Sequence, residues 1–153
     1  MRKFLVVMDE SDEWVNALHF AALRAERTHA GVEVLAVIQS ENLQHFMGVA
    51  DVMRAEAEEE IEDKFREHTM MASRATGITP ILNIREGEPV KCLLKLIEEK
   101  DDIGILVLAA SSKDEGPGPL IQGLIAGRHA GKVRVPVTVV PAGITMDELR
   151  KIC

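Results

Sequence analysis

Short runs of apolar residues recur along the chain, and the segment between each pair of runs is long enough for one helix. Four runs rich in Val, Ile and Leu cover Phe4–Met8, Val32–Ile38, Ile103–Leu108 and Val135–Val140, and a more mixed fifth covers Ile78–Ile84. Strands covered on both faces lose the polar alternation that half-exposed strands show. The runs therefore predict buried strands of a parallel sheet.

Helical patterns occupy the segments between these runs. Ser11 is expected to cap the first helix, and Gly31 is expected to lie just past its end. The other three helices are expected over residues 49–75, from Pro89 onward, and over residues 120–132. Strands that alternate with helices imply right-handed crossovers and helices on both faces of one sheet. The predicted fold class is therefore α/β.

Charge and composition narrow the classes of function. The formal net charge of −7 disfavours nucleic acid as a partner. No apolar stretch reaches the ~18 residues of a membrane-spanning helix, and Asp9 ends the first apolar run too early for a signal peptide. Cys92 and Cys153 are the only cysteines, so we expect a reducing, cytoplasmic location without a disulfide framework. The length fits a single domain over residues 1–153.

Sequence motifs for catalysis or metal binding are missing. The chain has no Walker loop, no dinucleotide-binding glycine fingerprint and no nucleophile elbow. No two of the five histidines have helical ligand spacing, and neither cysteine has the spacing of a zinc ligand. We therefore expect neither a metal site nor an enzyme. His129 falls near the predicted ligand side of the sheet, where it is either a pocket residue or a surface histidine.

Five motifs, in chain order, are similar to those of the universal stress protein family. They are Val6–Ser11, Val34–Ile38, Arg85–Pro89, Ile105–Leu108 and Val135–Val140. The resemblance covers nearly the whole chain and implies a five-stranded parallel sheet in the order 3-2-1-4-5. In nucleotide-binding members it also implies a pocket for ATP or AMP between the ends of strands one and four. Because the family's last strand resembles a dimer-forming edge, the resemblance further implies a homodimer through Val135–Val140.

The resemblance places the adenosine part of a nucleotide at the ends of the first two strands. Asp9 matches the family's acidic residue near adenine and ribose, and Val37 matches the hydrophobic residue beside adenine. Val7 lies on the first strand, just before Asp9, and is a third candidate. Asp9 has an alternative role, because an aspartate after a first strand can simply cap the helix that follows.

The phosphate-binding motif departs from the family pattern. Counted back from the last strand, the three glycine positions hold Ala110, Lys113 and Gly123, so only the last is a glycine. Leu124 stands where binding members carry a hydroxyl side chain. Glycines let backbone N–H groups come close to a phosphate. The altered motif therefore predicts a weakened phosphate site.

The residues around this motif leave two interpretations open. Ser111, Ser112 and Lys113 form a rebuilt anion site, or the segment is an ordinary loop rich in Ser, Gly and Pro. Three functions remain: a stress protein that acts through protein contacts with weak or no ATP binding, a regulatory domain that binds ATP or AMP, and an enzyme on the same fold. The altered motif favours the first, and the third lacks any supporting motif.

Overall fold

A parallel sheet of five strands, in the order β3-β2-β1-β4-β5, forms the centre of the protein. The computed structural model of the chain describes residues 1–39, 49–112, 116 and 118–153. The strands are β1 (Lys3–Met8), β2 (Gly31–Ile38), β3 (Ile81–Glu86), β4 (Ile103–Ala109) and β5 (Val137–Val140). Every pairing in the sheet is parallel. The predicted fold class and strand order are confirmed.

Two strands are shorter than the apolar runs that predicted them. The run that starts at Ile78 forms a strand only from Ile81, and the run that starts at Val135 forms one only from Val137. A proline lies directly before each strand. Because proline has no N–H to donate to the ladder, both strands begin after it.

Long helices connect the first four strands, whereas the described part of the segment before β5 contains only short helical pieces. The helices formed by the described residues are α1 (Trp14–Thr28), α2 (Ala50–Thr76), α3 (Pro89–Glu99), α4 (Pro119–Ile121) and α5 (Met146–Ile152). A π-helical turn, Gln122–Ala126, follows α4, and a 3-10 turn covers Ala130–Lys132. The prediction of one helix over residues 120–132 is therefore wrong. The backbone turns extended at Gly127, where ψ is −172°, and this ends the helical turn.

Both ends of α1 differ from the prediction. Ser11 does not cap the helix, because its backbone N–H and its hydroxyl donate to the Asp9 carboxylate, with an N···Oδ1 distance of 2.9 Å. Glu13 occupies the cap position, but its side chain accepts no capping hydrogen bond from the helix. At the other end, His29 takes the left-handed conformation, at φ 55°, and Gly31 is already the first residue of β2. Short polar side chains next to a helix start often bond each other instead of the helix.

Buried side chains cover both faces of the sheet, which explains why the strands lack polar alternation. On one face Phe4 and Val6 of β1 belong to a cluster that includes much of α1. On the other face Leu5 and Val7 pack in a cluster with the apolar stripe of α3, Leu93, Leu96 and Ile97. Alternate residues of one strand thus serve two separate cores.

The C-terminal helix α5 completes the first of these cores, and sequence reasoning missed it. Thr145 Oγ1 accepts a hydrogen bond of 3.2 Å from the N–H of Glu148, whose carboxylate accepts one of 3.3 Å from the N–H of Thr145. This capping box begins the helix. Leu149 and Cys153 are buried in the core that contains α1. The Thr-x-x-Glu spacing was the signal that could have predicted α5.

Candidate functional site

A cleft of about 600 Å³ opens where β1 and β2 end. Ligands of open α/β sheets usually bind at the carboxyl ends of the strands. Val7, Asp9 and Val37, the three residues predicted for the adenosine side, all line this cleft. The first residues of α3 and α4 form one of its walls. The structure therefore brings these three candidates together in one cleft.

Helix α2 forms another wall of the cleft. Met53, Ala57 and Ile61, spaced four residues apart on α2, line the cleft. The helix is held to the end of β3 by a forked ion pair, in which Arg54 Nε lies 2.6 Å from Glu86 Oε2 and Arg54 Nη2 lies 3.1 Å from Glu86 Oε1. This contact raises the pKa of Arg54 and lowers that of Glu86. Both groups therefore remain charged, and the ion pair positions α2 over the cleft.

The charged residues that line the cleft are mostly acidic. The carboxyl-bearing residues in its described lining are Asp9, Glu10, Glu60 and Glu88, and the one basic residue is Lys64. Lys64 Nζ lies 3.2 Å from Glu60 Oε1, so its charge is already paired. These carboxylates would repel a negatively charged ligand in the cleft.

The turn after β1 holds the carboxyl group of Asp9. Partial removal from water raises its pKa, and the hydrogen bonds from Ser11 act in the opposite direction. The negative charge of Glu13 contributes to the rise. Because α1 begins at Trp14 without a side-chain cap, the alternative role of Asp9 as a helix cap is wrong.

Gly123 lies in a second cleft, of about 400 Å³, which adjoins the first along Glu88 and Val90. The basic residues in its lining are Lys91, Arg128 and His129. His129 Nδ1 is buried and has no hydrogen-bond partner among the described residues. Sequence reasoning named Gly123 and His129 but missed Lys91 and Arg128, for which no local motif exists. The structure thus places Gly123 in the cleft next to the one that the adenosine-side candidates line.

The loop after β4 does not reach either cleft through Ala110, Ser111 or Ser112, the described residues at its start. The N–H of Ala110 continues the ladder to β5 with a hydrogen bond of 2.9 Å. The N–H of Ser112 donates to Glu13 Oε1 over 3.1 Å, and its hydroxyl donates to the same oxygen. These bonds lower the pKa of Glu13 to about 2. The fourth loop candidate, Lys113, lies outside the described residues.

Comparison with known proteins assigns the family. The model of the universal stress protein family matches residues 1–141. The chain belongs to this family. Among curated proteins, sequence comparison finds no significant match.

Solved structures of universal stress proteins share this fold over most of their length. UspA from Lactobacillus plantarum has a TM-score of 0.71 at 17% identity, with 92% of this chain and 97% of that chain covered. A universal stress protein from Archaeoglobus fulgidus in complex with dAMP has a TM-score of 0.61 at 17% identity, covering 91% and 97%. A universal stress protein in complex with cAMP has a TM-score of 0.63 at 18% identity, covering 93% and 98%. At sequence identities of 17–18%, these comparisons show that the chain shares the fold of these proteins.

In this universal stress protein the carboxylate of Glu88 caps the start of α3. Free N–H groups at a helix start are a ready site for an anion. Here Glu88 accepts hydrogen bonds from the N–H groups of Val90, at 3.1 Å, and Lys91, at 2.9 Å. Because Glu88 lines both clefts, two N–H donors at their shared border are already occupied by a carboxylate of the protein.

Two further kinds of site were sought in the described ranges. Within them, no group of three or more His, Cys, Asp or Glu side chains could hold a metal ion. No helix built from the described residues combines the length and the apolar character required to cross a membrane.

Proposed function

We propose that this universal stress protein is a non-enzymatic regulatory domain, spanning residues 1–153, that acts in the cytoplasm through protein contacts. In this proposal the cleft at Val7, Asp9 and Val37 accepts the adenosine part of a nucleotide but holds ATP and AMP weakly. The observation that carries the proposal is the occupation of anion donors by a carboxylate of the protein itself. Glu88, which lines both clefts, accepts hydrogen bonds from two N–H groups at the start of α3.

The expected loss of affinity follows from these hydrogen bonds. A hydrogen bond to a charged group contributes roughly 1.5–3 kcal/mol. Two such bonds that a phosphate cannot form weaken binding by about two to four decades, at about 1.4 kcal/mol per decade. The acidic residues in the cleft lining act in the same direction, because they repel the phosphates.

We expect the dissociation constant for ATP to be poorer than about 100 μM, which corresponds to about −5.5 kcal/mol. Isothermal titration with ATP and AMP, with and without magnesium, measures it. Adenosine is the matched control, because it fills the same part of the cleft without the phosphates. A low-micromolar constant for ATP would contradict the proposal.

A nucleotide-binding regulatory domain is the second candidate function. It is favoured by the size and position of the cleft, since Val7 and Val37 line a cavity of about 600 Å³ beside Asp9. It is also favoured by the dAMP and cAMP complexes of related universal stress proteins. In this case the loop with Ser111, Ser112 and Lys113 rebuilds the phosphate site. Lys113→Ala would then weaken ATP far more than adenosine.

We further propose a homodimer through the edge strand within Val135–Val140. In the sheet β5 is an edge strand with β4 as its neighbour, and Val139 is 40% exposed. An uncovered apolar edge tends to pair with another strand, and a symmetric dimer would cover it.

Light scattering at micromolar concentration should give twice the chain mass of 16.9 kDa. Val139→Lys should shift the protein to monomer, because a charge on an edge strand opposes pairing. Ile81→Lys, on the opposite edge strand β3, is the matched control and should leave the mass unchanged. A monomeric unmodified protein would refute the dimer, and equal effects of both variants would refute its location.

A further inference from the structure

The second cleft, of about 400 Å³, is lined by basic side chains from two separate segments of the chain. Lys91 belongs to α3, whereas Arg128 and His129 follow the π-helical turn. The stretch 116–146, which supplies Arg128 and His129, contains no Asp or Glu, although the whole chain has 25 acidic residues. The fold therefore brings three basic side chains to one cavity of an otherwise acidic protein.

The positive charges in this cleft are not neutralised by the described part of the protein. Both Lys91 and Arg128 are exposed, and no ion pair among the described residues involves either of them. In the first cleft, by contrast, Lys64 lies 3.2 Å from Glu60. The one carboxyl-bearing residue in the described lining of the second cleft is Glu88, which already accepts two N–H hydrogen bonds. The second cleft therefore keeps an excess of positive charge.

An imidazole nitrogen of the same lining lacks a partner. His129 Nδ1 is buried, and no described residue forms a hydrogen bond with it. Such atoms are rare in native proteins, and an ion that binds beside them is one explanation. A ring nitrogen that carries a proton donates hydrogen bonds, as do a lysine ammonium and an arginine guanidinium. Charged donors of these kinds are the ones that proteins use to bind phosphate.

We propose that the second cleft binds a small oxyanion such as inorganic phosphate through Lys91, Arg128 and His129. The site is separate from the nucleoside cleft, because Glu88 and Val90 are the only described residues that line both. The negative charge of Glu88 at this border opposes a phosphate that extends from a nucleoside in the first cleft. The bound oxyanion is therefore a ligand of its own and not part of a nucleotide.

The proposed site differs from the phosphate motif of the family. The positions of that motif are Ala110, Lys113, Gly123 and Leu124, and it relies on backbone N–H groups beside glycines. The second cleft offers charged side chains at other positions, and Gly123 is the residue that the motif and the described lining share. The loss of the motif therefore does not remove the donors of the second cleft.

The test is a calorimetric titration of inorganic phosphate, in a chloride buffer of constant ionic strength. It compares the unmodified protein with Lys91→Gln and Arg128→Gln, which remove one charge each from the cleft. Lys151→Gln is the matched control, because Lys151 is an exposed lysine of α5 that lines neither cleft. Circular dichroism confirms the fold of each variant. In a second arm AMP and methyl phosphate, a monoester without a nucleoside, compete with inorganic phosphate.

Inorganic phosphate should bind the unmodified protein with a dissociation constant of about 1 mM or tighter. Lys91→Gln and Arg128→Gln should each weaken it by about three- to tenfold, because each removes a charge-assisted hydrogen bond. Lys151→Gln should change it by less than about twofold, since a distant exposed charge is screened by salt. AMP and methyl phosphate should compete within about threefold of each other, because the nucleoside adds little to binding at a separate site.

Three results would overturn the inference. The first is a lack of phosphate binding to the unmodified protein below about 10 mM, and the second is an equal loss in Lys151→Gln, which would reduce the effect to net charge. Both leave the proposed function of the first cleft intact. The third is AMP that competes more than about threefold better than methyl phosphate. That result would assign the oxyanion to a nucleotide held in the first cleft.

Discussion

Lys100→Met is expected to lower the free energy of unfolding by about 2–3 kcal/mol. Glu33 of β2 is fully buried, and its Oε1 lies 2.8 Å from Lys100 Nζ and 3.5 Å from Lys3 Nζ. Its Oε2 has no hydrogen-bond partner in the described part of the chain. Without Lys100 the buried carboxylate keeps only the longer contact. Removing one partner of a buried ion pair costs about 3–5 kcal/mol, and the 34% exposure of Lys100 reduces that loss.

Urea unfolding followed by circular dichroism measures the effect. Lys95→Met, on the helix that ends just before Lys100, is the matched control, because Lys95 is 71% exposed and lies 3.9 Å from Glu99. It should cause no measurable loss. The double variant Glu33→Met, Lys100→Met removes both charges and should recover most of the stability, since Lys3 keeps Asp102 at 3.0 Å. A double variant as unstable as Lys100→Met would show that lost packing, and not the unpaired charge, causes the effect.

Gly127→Ala is expected to lower the free energy of unfolding by about 1–3 kcal/mol. A Cβ at this position would lie 2.9 Å from the carbonyl oxygen of Gly123 and 3.3 Å from its Cα. Both are backbone atoms, which cannot move aside as the end of a side chain can. The backbone angles at Gly127, φ −94° and ψ −172°, suit any residue, so the conflict is steric. A side chain at position 127 would therefore collide with the backbone of the π-helical turn that precedes it.

Gly131→Ala is the matched control for this substitution. Gly131 lies four residues further along, in the 3-10 turn, and a Cβ there meets no heavy atom within 4 Å. It should be neutral or slightly stabilising, by up to about 1 kcal/mol, because alanine restricts the unfolded chain. Thermal unfolding of both variants decides the comparison. A Gly127→Ala protein as stable as Gly131→Ala would contradict the steric explanation.

The local sequence pattern was sufficient to predict the strands, because a strand that is buried on both faces consists of a nearly continuous run of apolar residues. Phe4 and Leu5 are adjacent apolar residues that face opposite cores, and only a strand covered on both sides accepts such a pair. The location of Asp9 and Val37 beside one another at one end of the sheet came from the resemblance to the family. The strand order came from the family motifs and not from periodicity.

Contacts between distant residues could be seen only in the tertiary structure. Glu13 and Ser112 are 99 positions apart, and Glu33 and Lys100 are 67 apart. No spacing rule links such pairs, because each depends on which strand ends the sheet places side by side. The apolar runs and helix patterns, which depend only on neighbouring residues, therefore specify the strands and the long helices. Long-range packing decides which groups pair with each carboxylate. It therefore also decides which charged groups surround a bound ligand.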